Sequence, residues 1–176
     1  NNEFDVDIIL TNFNKAEFVE EAIQSVIDQT YKNWKLYIID DDSKDKSIEV
    51  INKFSTFKNI FIIKLPKNKG PSFCRNLGMR ISKSKYISFL DSDDAWSSLK
   101  LEKQITFMEK NNFNFTYTDY TPFFQKDGKK KLKKRTFIKS FFDYDGFVKN
   151  SSINTTTMII KRTILNTHRF KKVELL

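Results

Sequence analysis

Residues 86–96 read "YISFLDSDDAW" and place a mainly apolar run directly before three aspartates in four positions. The run that ends at Leu90 has the composition of a buried strand. Asp91, Asp93 and Asp94 repel one another when all are ionised, so this segment needs a counter-charge close to the end of the strand. It therefore predicts a buried strand that leads into a charged functional site.

The chain on either side of this segment alternates between strand-like and helix-like patterns. Short apolar runs predict strands over residues 6–11, 34–40, 60–65 and 86–91. Apolar residues at helical spacing predict helices over residues 16–29, from Ser43 to about Phe54, from about Ser72 onward and over 99–110. This alternation predicts an α/β fold whose mostly parallel central sheet is covered by helices on both faces.

The pattern changes after Asn111. Residues 113–120 and 155–161 have strand-like sequences without the same regular helices between them, so mixed strands are expected in the C-terminal part. Between them lies the run "KKKLKKR" at residues 129–135, directly after an Asp-Gly pair. This stretch predicts an exposed hairpin or loop.

The overall composition is that of a soluble globular domain. The chain has 176 residues, 39% hydrophobic and 30% charged, which suits one domain with a substantial core. No apolar run reaches the length of a membrane span and no signal peptide is visible, so a cytoplasmic location is expected. The chain has one cysteine, Cys74, and one histidine, His168, which excludes an internal disulfide and a metal site built from several such residues.

The positive charge of the chain is concentrated in one segment. Residues 129–135 supply six bases and no acid, so the rest of the chain carries +3 of the total net charge of +9. The basicity is therefore local and does not describe the partner of the whole chain. The run either meets a membrane surface or a lipid-diphosphate acceptor, or it is a solvated loop.

Polar side chains follow three of the predicted strands, in "TNFN" (11–14), "DDDS" (40–43) and "DSDD" (91–94). Ligands of open α/β sheets bind beyond the carboxyl ends of the strands, where these groups would converge. Oxygen ligands of this kind favour Mg²⁺ or Mn²⁺, whose open positions would bind phosphate oxygens. Helix capping is the alternative for Asp42 and Asp94, but capping needs one acid and does not explain Asp91 together with Asp93.

The common phosphate-binding loops are absent from the sequence. The first predicted strand–helix turn contains no glycine, and no GxxxxGK[ST] segment occurs in a chain with only 4 glycines. Phosphate would therefore be held by metal and side chains. A Mg²⁺-dependent phosphoryl-transfer enzyme and a basic nucleic-acid-binding module are the alternative classes. Neither explains polar groups at three strand ends, and no nucleic-acid partner is expected.

Three segments resemble the motifs of the inverting nucleotide-sugar glycosyltransferases of family 2, which have the GT-A fold. They are "VDIILTNFNKAEFVEEAIQSVIDQTYKNWKLYIIDDDSKDKS" (6–47), "NKGPSFCRNLG" (68–78) and "YISFLDSDDAWSSLKLEKQ" (86–104). The resemblance implies a single GT-A domain with a Rossmann-like sheet over residues 1–176. It divides the domain into a nucleotide-sugar-binding half over 1–110 and an acceptor-side half over 111–176.

The same resemblance implies a reaction. Members of the family transfer a sugar from a nucleotide diphosphate sugar to an acceptor hydroxyl with inversion, with Mn²⁺ or Mg²⁺ as the cofactor. For this chain it implies a UDP-sugar donor and a saccharide or lipid-linked acceptor, in the synthesis of a bacterial surface polysaccharide or glycolipid. Peripheral contact with the inner face of the membrane, through residues 129–135, would suit such an acceptor.

The resemblance also implies which residues bind the nucleotide. Thr11 and Phe13 would line the base pocket, where Phe13 replaces the usual tyrosine and retains its capacity for stacking. Asp41 would accept a hydrogen bond from the base, consistent with the ring NH of uracil. Gly78 would allow its helix to approach the sheet.

The implied diphosphate and metal residues come from the second and third motifs. Asp91 and Asp93 would form the DxD motif, with Asp93 in direct contact with the metal and Asp91 nearer the ribose or a water on the metal. Arg75 would either lie near the diphosphate or form a salt bridge that holds Asp40 or Asp91.

The catalytic base is the least defined element of the resemblance. In the family the base is an acidic residue in the C-terminal half, usually shortly after a segment like that at 155–165. Glu174 is the acid that follows this segment here, and Asp119 is a second candidate inside the chain. The base could also lie beyond Leu176 in a longer parent protein. His168 is expected to be a surface residue in preference to a metal ligand.

Overall fold

The computed structural model describes residues 5–126, 129–138 and 153–166, and all four strands predicted for the first half of the chain are present. These strands are β1 (Val6–Asn12), β2 (Trp34–Asp40), β3 (Ile60–Lys64) and β4 (Tyr86–Asp91). The helices between and after them are α1 (Val19–Ile27), α2 (Ser47–Asn52), α3 (Pro71–Ile81) and α4 (Lys100–Asn111). The later part adds β5 (Phe115–Thr116), β6 (Phe123–Lys126), β7 (Lys129–Leu132) and β8 (Ile159–Lys161), with 3-10 helices at Thr155–Thr157 and Arg162–Asn166.

The central sheet runs in the order β3-β2-β1-β4-β8-β5. β1 pairs in parallel with β2 and with β4, and β2 pairs in parallel with β3. β8 is antiparallel to both β4 and β5. The expected α/β fold with mixed strands in the C-terminal part is therefore confirmed. The strand order reverses between β1 and β4, and ligands of open α/β sheets bind at such a crevice.

Strand β1 is buried on both faces because helices cover both sides of the sheet. Ile8 and Leu10 belong to the core formed with α1 and α4, whereas Ile9 belongs to a second core that contains Cys74 of α3. A Cβ added to Gly78 of α3 would lie 2.5 Å from Cγ2 of Ile9. The expectation that Gly78 lets this helix approach the sheet is confirmed.

The second helix begins later than predicted, at Ser47 instead of Ser43. The Ser43 hydroxyl does not cap a helix because it donates to Oδ2 of Asp40 at 2.6 Å and accepts the backbone N–H of Asn14 at 3.0 Å. The residue therefore ties the ends of β1 and β2 together. This is a tertiary role that local capping preferences do not reveal.

The capping alternative for the strand-end acids is wrong. Asp42 has φ 65°, in the left-handed region, and Asp45 accepts the N–H of Ser47 at 2.9 Å instead. Helix α4 begins at Lys100 and has no side-chain cap, so Asp94 does not cap it. The acids at the ends of β2 and β4 are therefore not explained by helix termini.

Three further elements are shorter than predicted, and the first is the strand expected over 113–120, which is limited to β5. Helix α1 starts at Val19 instead of residue 16, because Phe18 closes a turn on Lys15 with a backbone hydrogen bond of 3.0 Å. The strand expected over 155–161 is limited to β8, because the side chain of Asn154 accepts the N–H of Thr156 and starts a 3-10 turn. A threonine-rich sequence is compatible with both a strand and a 3-10 turn, so its periodicity did not distinguish the two.

The first part of the basic run forms β7, the second strand of a hairpin. A hairpin is one of the two structures predicted for this stretch, the other being a loop. Strands β6 and β7 make a separate two-stranded sheet, and the ring of Phe123 packs against that of Phe18 at 6.5 Å. Lys130 also pairs with Glu21 of α1 at 2.6 Å. The hairpin therefore stands beside α1. Over the described residues, no helix combines the length and the apolar character that a bilayer crossing requires.

Candidate functional site

The carboxyl ends of β1 and β4 are neighbours, so the polar residues at these two ends meet. Thr11 lies opposite Asp91 in the parallel register, and its hydroxyl donates to Oδ1 of Asp91 at 3.1 Å. Arg75, from α3, donates from Nη2 to the same oxygen at 2.7 Å. The structure thus brings three predicted site residues together. Of the alternatives for Arg75, the salt bridge to Asp91 is the one observed.

The other two aspartates of this loop lie in different electrostatic environments. Oδ2 of Asp93 lies 2.8 Å from Nζ of Lys15, and the two side chains are 44% and 41% exposed. Burial, together with the charges of Asp91 and Asp93, raises the pKa of the Asp94 carboxyl to about 6. The Thr156 hydroxyl acts in the opposite direction and lowers that pKa, although it makes no hydrogen bond of ordinary geometry.

The protein therefore supplies counter-charges of its own. Arg75 pairs with Asp91 and Lys15 pairs with Asp93. The sequence-based reasoning that bare carboxylates need a metal ion is corrected here, because it did not foresee that Lys15 reaches Asp93 across the β1–β4 crevice. Repulsion among the aspartates does not by itself require a cation from solution.

The donor set nevertheless suits a hard cation. Within the described residues there is no cluster of three His, Cys, Asp or Glu side chains able to enclose a metal. Asp91 and Asp93 line one cavity with partly exposed carboxylates. Mg²⁺ is characteristically bound by one or two carboxylates, with the remaining positions taken by water and phosphate. These two residues fit that kind of open site and not a closed protein cage.

The predicted base-reading residue Asp41 is more enclosed than its role requires. It is 3% exposed, and its two carboxylate oxygens accept the N–H groups of Lys69 and Gly70 at 2.7 and 2.8 Å. Gly70 has φ 86°, a conformation that glycine adopts without steric cost. Asp41 thus holds the 68–70 turn against β2, and a contact with a base would share these oxygens. Its base-reading role stays a prediction.

The other residues near the end of β2 have structural or exposed positions. Asp40 is fully buried and accepts hydrogen bonds from Asn12 Nδ2 at 2.7 Å and from the Ser43 backbone N–H at 3.0 Å. Burial and the nearby Asp41 charge raise the pKa of the Cys74 thiol to about 12, and the residue belongs to the second core. Phe13 is 44% exposed at the end of β1, where a planar group could stack on it.

A cavity of about 1190 Å³ adjoins the 91–94 loop. Its other described walls come from the segment 15–21, α4, residues 118–122, the β6–β7 hairpin and the Thr155–Thr157 turn. The predicted nucleotide residues Thr11, Phe13, Asp41 and Arg75 lie outside this described wall. Asp91, which contacts Thr11 and Arg75, therefore connects these residues with the cavity wall.

Of the candidate bases, the structure describes Asp119 but not Glu174. Asp119 lines the cavity, but its carboxylate accepts hydrogen bonds from Arg135 at 3.0 Å and from the N–H of Ile138 at 2.8 Å. Those contacts engage both oxygens, and its role as a base stays a prediction. Glu174 and His168 lie outside the described residues.

Sequence reasoning missed a polar cluster on the floor of the cavity. Lys100 and Gln104 are 9% and 5% exposed, four residues apart on the inward face of α4. Burial lowers the pKa of the Lys100 ammonium to about 7. The helical periodicity could have revealed this burial, because Lys100 and Gln104 lie beside the apolar stripe of Leu101 and Ile105, where a solvent-facing residue is not expected.

Trp96 combines a core position with a place in the cavity wall. Its Nε1 donates to the carbonyl of Thr156 at 2.9 Å, and its ring lies 4.1 Å from Nζ of Lys100. The ring is 8% exposed and also contributes to the main core. The Trp96 side chain therefore contributes to both the core and the cavity wall.

The sequence matches the profile of glycosyl transferase family 2 over residues 7–169. It is 34% identical over 173 residues to an Escherichia coli protein named UDP-Glc:alpha-D-GlcNAc-diphosphoundecaprenol beta-1,3-glucosyltransferase WfgD, which covers 94% of this chain and 63% of that protein. It is 32% identical over 158 residues to TuaG of Bacillus subtilis (strain 168), named for teichuronic acid biosynthesis, with 89% and 62% covered. The chain thus spans less than two thirds of the length of these relatives.

Solved structures share the fold at low sequence identity. S. aureus TarS 1-349 in complex with UDP superposes with a TM-score of 0.71 at 18% identity, covering 92% of this chain and 48% of that one. The mannosyltransferase PcManGT from Pyrobaculum calidifontis, in complex with GDP-Man and Mn²⁺, has a TM-score of 0.60 at 15% identity, covering 64% and 34%. The likeness to TarS confirms the expected GT-A fold.

Proposed function

This chain belongs to glycosyl transferase family 2, and on that basis we propose that it binds a UDP-sugar and a divalent cation and transfers the sugar, with inversion, to an acceptor hydroxyl. The observation that carries the proposal is the junction at Asp91. There β1, α3 and β4 contribute Thr11, Arg75 and Asp91 to one hydrogen-bonded group, at the crevice where α/β sheets bind ligands.

The donor would lie across this junction. Its base would lie beyond the ends of β1 and β2, near Phe13 and Asp41, and its diphosphate beside Asp91 and Asp93. Lys15 pairs with Asp93 through a half-exposed side chain, so it can turn toward a phosphate without unfolding any element. The named UDP-Glc donor of the E. coli relative supports a UDP-sugar.

Asp93 and Asp91 would hold Mn²⁺ or Mg²⁺, which supplies positive charge that stabilises the leaving diphosphate when bound. Arg75 would keep Asp91 ionised and oriented through its 2.7 Å ion pair. The acceptor hydroxyl forms the new bond to the anomeric carbon and loses its proton to a carboxylate base, while the nucleoside diphosphate leaves. The candidates for the base within this chain are Asp119 and Glu174.

The acceptor would be a lipid-linked or polymeric saccharide in bacterial surface glycan synthesis. The names of the E. coli and B. subtilis relatives support this class of acceptor. The hairpin and its flank would touch the inner face of the membrane, because the basic run 129–135 stands beside Phe124, Leu132 and Phe137, which are 41%, 70% and 70% exposed. Exposed apolar side chains among lysines suit an anionic lipid surface.

Calorimetry of UDP binding with and without Mn²⁺ tests the metal and donor assignments. In Asp93→Asn the Mn²⁺-dependent gain in UDP affinity should fall sharply, because the variant removes a charged metal ligand. Its stability without ligand should change by about 1 kcal/mol or less, since the lost ion pair with Lys15 is half exposed and repulsion with Asp91 and Asp94 is relieved.

Asp42→Asn is the matched control. It removes a carboxylate from the neighbouring strand end, and asparagine tolerates the left-handed backbone at φ 65°. The control should retain the full Mn²⁺–UDP response. If Asp93→Asn also retains it, the metal assignment is refuted, and release of phosphate from a phosphoester by the same protein would favour phosphoryl transfer.

A further inference from the structure

Lys100 is a buried cation without a counter-charge in the described structure. Its Nζ lies 3.5 Å from the Ser88 hydroxyl and 4.1 Å from the centre of the Trp96 ring. The carboxylates that face the same cavity are Glu21, Asp91, Asp93, Asp94 and Asp119, and none of them forms an ion pair with it. Buried charges in proteins are normally paired or neutralised, so an anionic ligand would favour the protonated form of this lysine.

Two acceptors beside Lys100 also lack partners. Within the described part of the chain, neither Oε1 of Gln104 nor Oγ1 of Thr156 makes a hydrogen bond, although both residues are more than nine-tenths buried. The Gln104 amide is held in its orientation because Nε2 donates to the carbonyl of Thr157 at 3.1 Å. Its free oxygen is therefore a real acceptor, and buried polar atoms without partners are uncommon in native structures.

The residues that carry these three groups contribute to one part of the cavity surface. Lys100 and Gln104 are neighbours on one helix face. Trp96 connects them to Thr156 through its 2.9 Å hydrogen bond and its ring contact with Lys100. All four residues line the cavity, whose described wall also includes Asp91 and Asp93. A ligand that fills this surface needs an anionic group for the ammonium and hydroxyl groups for the amide and the threonine.

We propose that Lys100, Gln104 and Thr156 form a subsite for an anionic sugar, with Lys100 on its phosphate or carboxylate and the other two residues on its hydroxyl groups. The inference rests on the proposed function, because it assigns the subsite to the sugar acceptor of that reaction. The anionic group is then the phosphate joined to the acceptor sugar. A carboxylate on the donor sugar is the other source of the same chemistry.

The experiment is a calorimetric titration of the full chain, first saturated with UDP and Mn²⁺, with N-acetylglucosamine 1-phosphate. N-acetylglucosamine and inorganic phosphate are the comparison ligands, because the first supplies only the sugar hydroxyl groups and the second only the anionic group. The variants are Lys100→Met, Thr156→Val and the matched control Lys110→Met, an exposed lysine on the same helix. UDP-glucuronate and UDP-glucose, titrated in place of UDP, report a carboxylate on the donor.

The sugar phosphate should bind more tightly than either comparison ligand. Lys100→Met should weaken it by roughly 10- to 100-fold, as expected for a lost charge-assisted hydrogen bond, and Lys110→Met should not. Thr156→Val keeps the shape of the side chain and removes a hydroxyl whose described interaction is with Asp94 of the 91–94 loop, so it should fold and weaken binding by about threefold or more. UDP and Mn²⁺ should bind all variants alike.

The possible results separate the two proposals. Failure of UDP and Mn²⁺ to bind the unmodified chain would count against the proposed function, whatever the sugar phosphate does. If UDP binds normally and Lys100→Met binds the sugar phosphate as tightly as the unmodified chain does, the subsite is overturned. The exception is a result in which Lys100→Met weakens the binding of UDP-glucuronate but not that of UDP-glucose. That last pattern would support the subsite and assign the anion to the donor.

Discussion

Replacing Lys100 with methionine should stabilise the ligand-free protein near neutral pH. Methionine has a similar length and no charge, so it can occupy the space beside Ser88 and Trp96 without requiring an anion. Burial lowers the pKa of Lys100 from 10.5 to about 7. The folded state therefore disfavours a proton that the unfolded chain binds readily.

The sign and size of the effect follow from linkage. Between the folded value of about 7 and the unfolded value of 10.5, the unfolded chain binds more protons at this site, so the free energy of unfolding increases with pH. The penalty that Lys100 imposes is about 4 kcal/mol at pH 7 and about 2 kcal/mol at pH 9. Above pH 10.5 it is small, and below pH 7 it levels off because both states are protonated.

Urea unfolding of the unmodified chain, Lys100→Met and the control Lys110→Met at pH 7 and pH 9 measures this penalty. The gain in Lys100→Met should be larger at pH 7 than at pH 9 by about 2 kcal/mol. Lys110 is exposed in the last turn of α4, so its loss should change stability by about 0.5 kcal/mol or less at both values. Equal effects of Lys100→Met at the two pH values, or a loss of stability at pH 7, would refute the description of Lys100 as a buried, unpaired amine.

Three further predictions test other parts of the molecule. Gly78→Ala should lower the free energy of unfolding by about 1–3 kcal/mol, since the new Cβ would lie 2.5 Å from Cγ2 of Ile9, and an unchanged urea midpoint would contradict this close packing. If Asp41 reads a uracil ring, UDP should bind more tightly than GDP or ADP in calorimetry, whereas equal affinities would remove that role. Replacing the six bases of residues 129–135 with serine should leave the melting temperature and UDP binding intact and weaken binding to anionic vesicles. Unchanged vesicle binding at low salt would leave only a solvated hairpin.

The local pattern of the sequence determined the main elements of the sheet. Strands β1 and β4 are short apolar runs whose consecutive residues are buried on both faces, a composition typical of central parallel strands, whereas β3 at the edge of the sheet exposes Phe61. The polar character of this edge of the sheet was also predictable, because polar residues follow the runs at the ends of β1, β2 and β4. These features depend on neighbours in sequence, which is the information that periodicity contains.

The tertiary structure decided how the charges at that edge are shared. Arg75 and Thr11 reach one oxygen of Asp91 from positions 16 and 80 residues away, and Lys15 reaches Asp93 from the opposite side of the crevice. Which cation meets which carboxylate depends on the packing of α3 and the register of β1 with β4, and not on local sequence. The sequence alone therefore suggested a metal as the necessary counter-charge.

The same limit applies to the elements and side chains that the sequence misjudged. Ser43 is a good helix cap by type, but Asp40 and Asn14 occupy its hydrogen-bonding groups in the folded chain. Lysine is typically a surface residue, yet Trp96 and the Thr155–Thr157 turn enclose Lys100 after folding. Local sequence determines what a side chain can bind, whereas burial and the partners actually within reach are set by contacts between segments far apart in the chain.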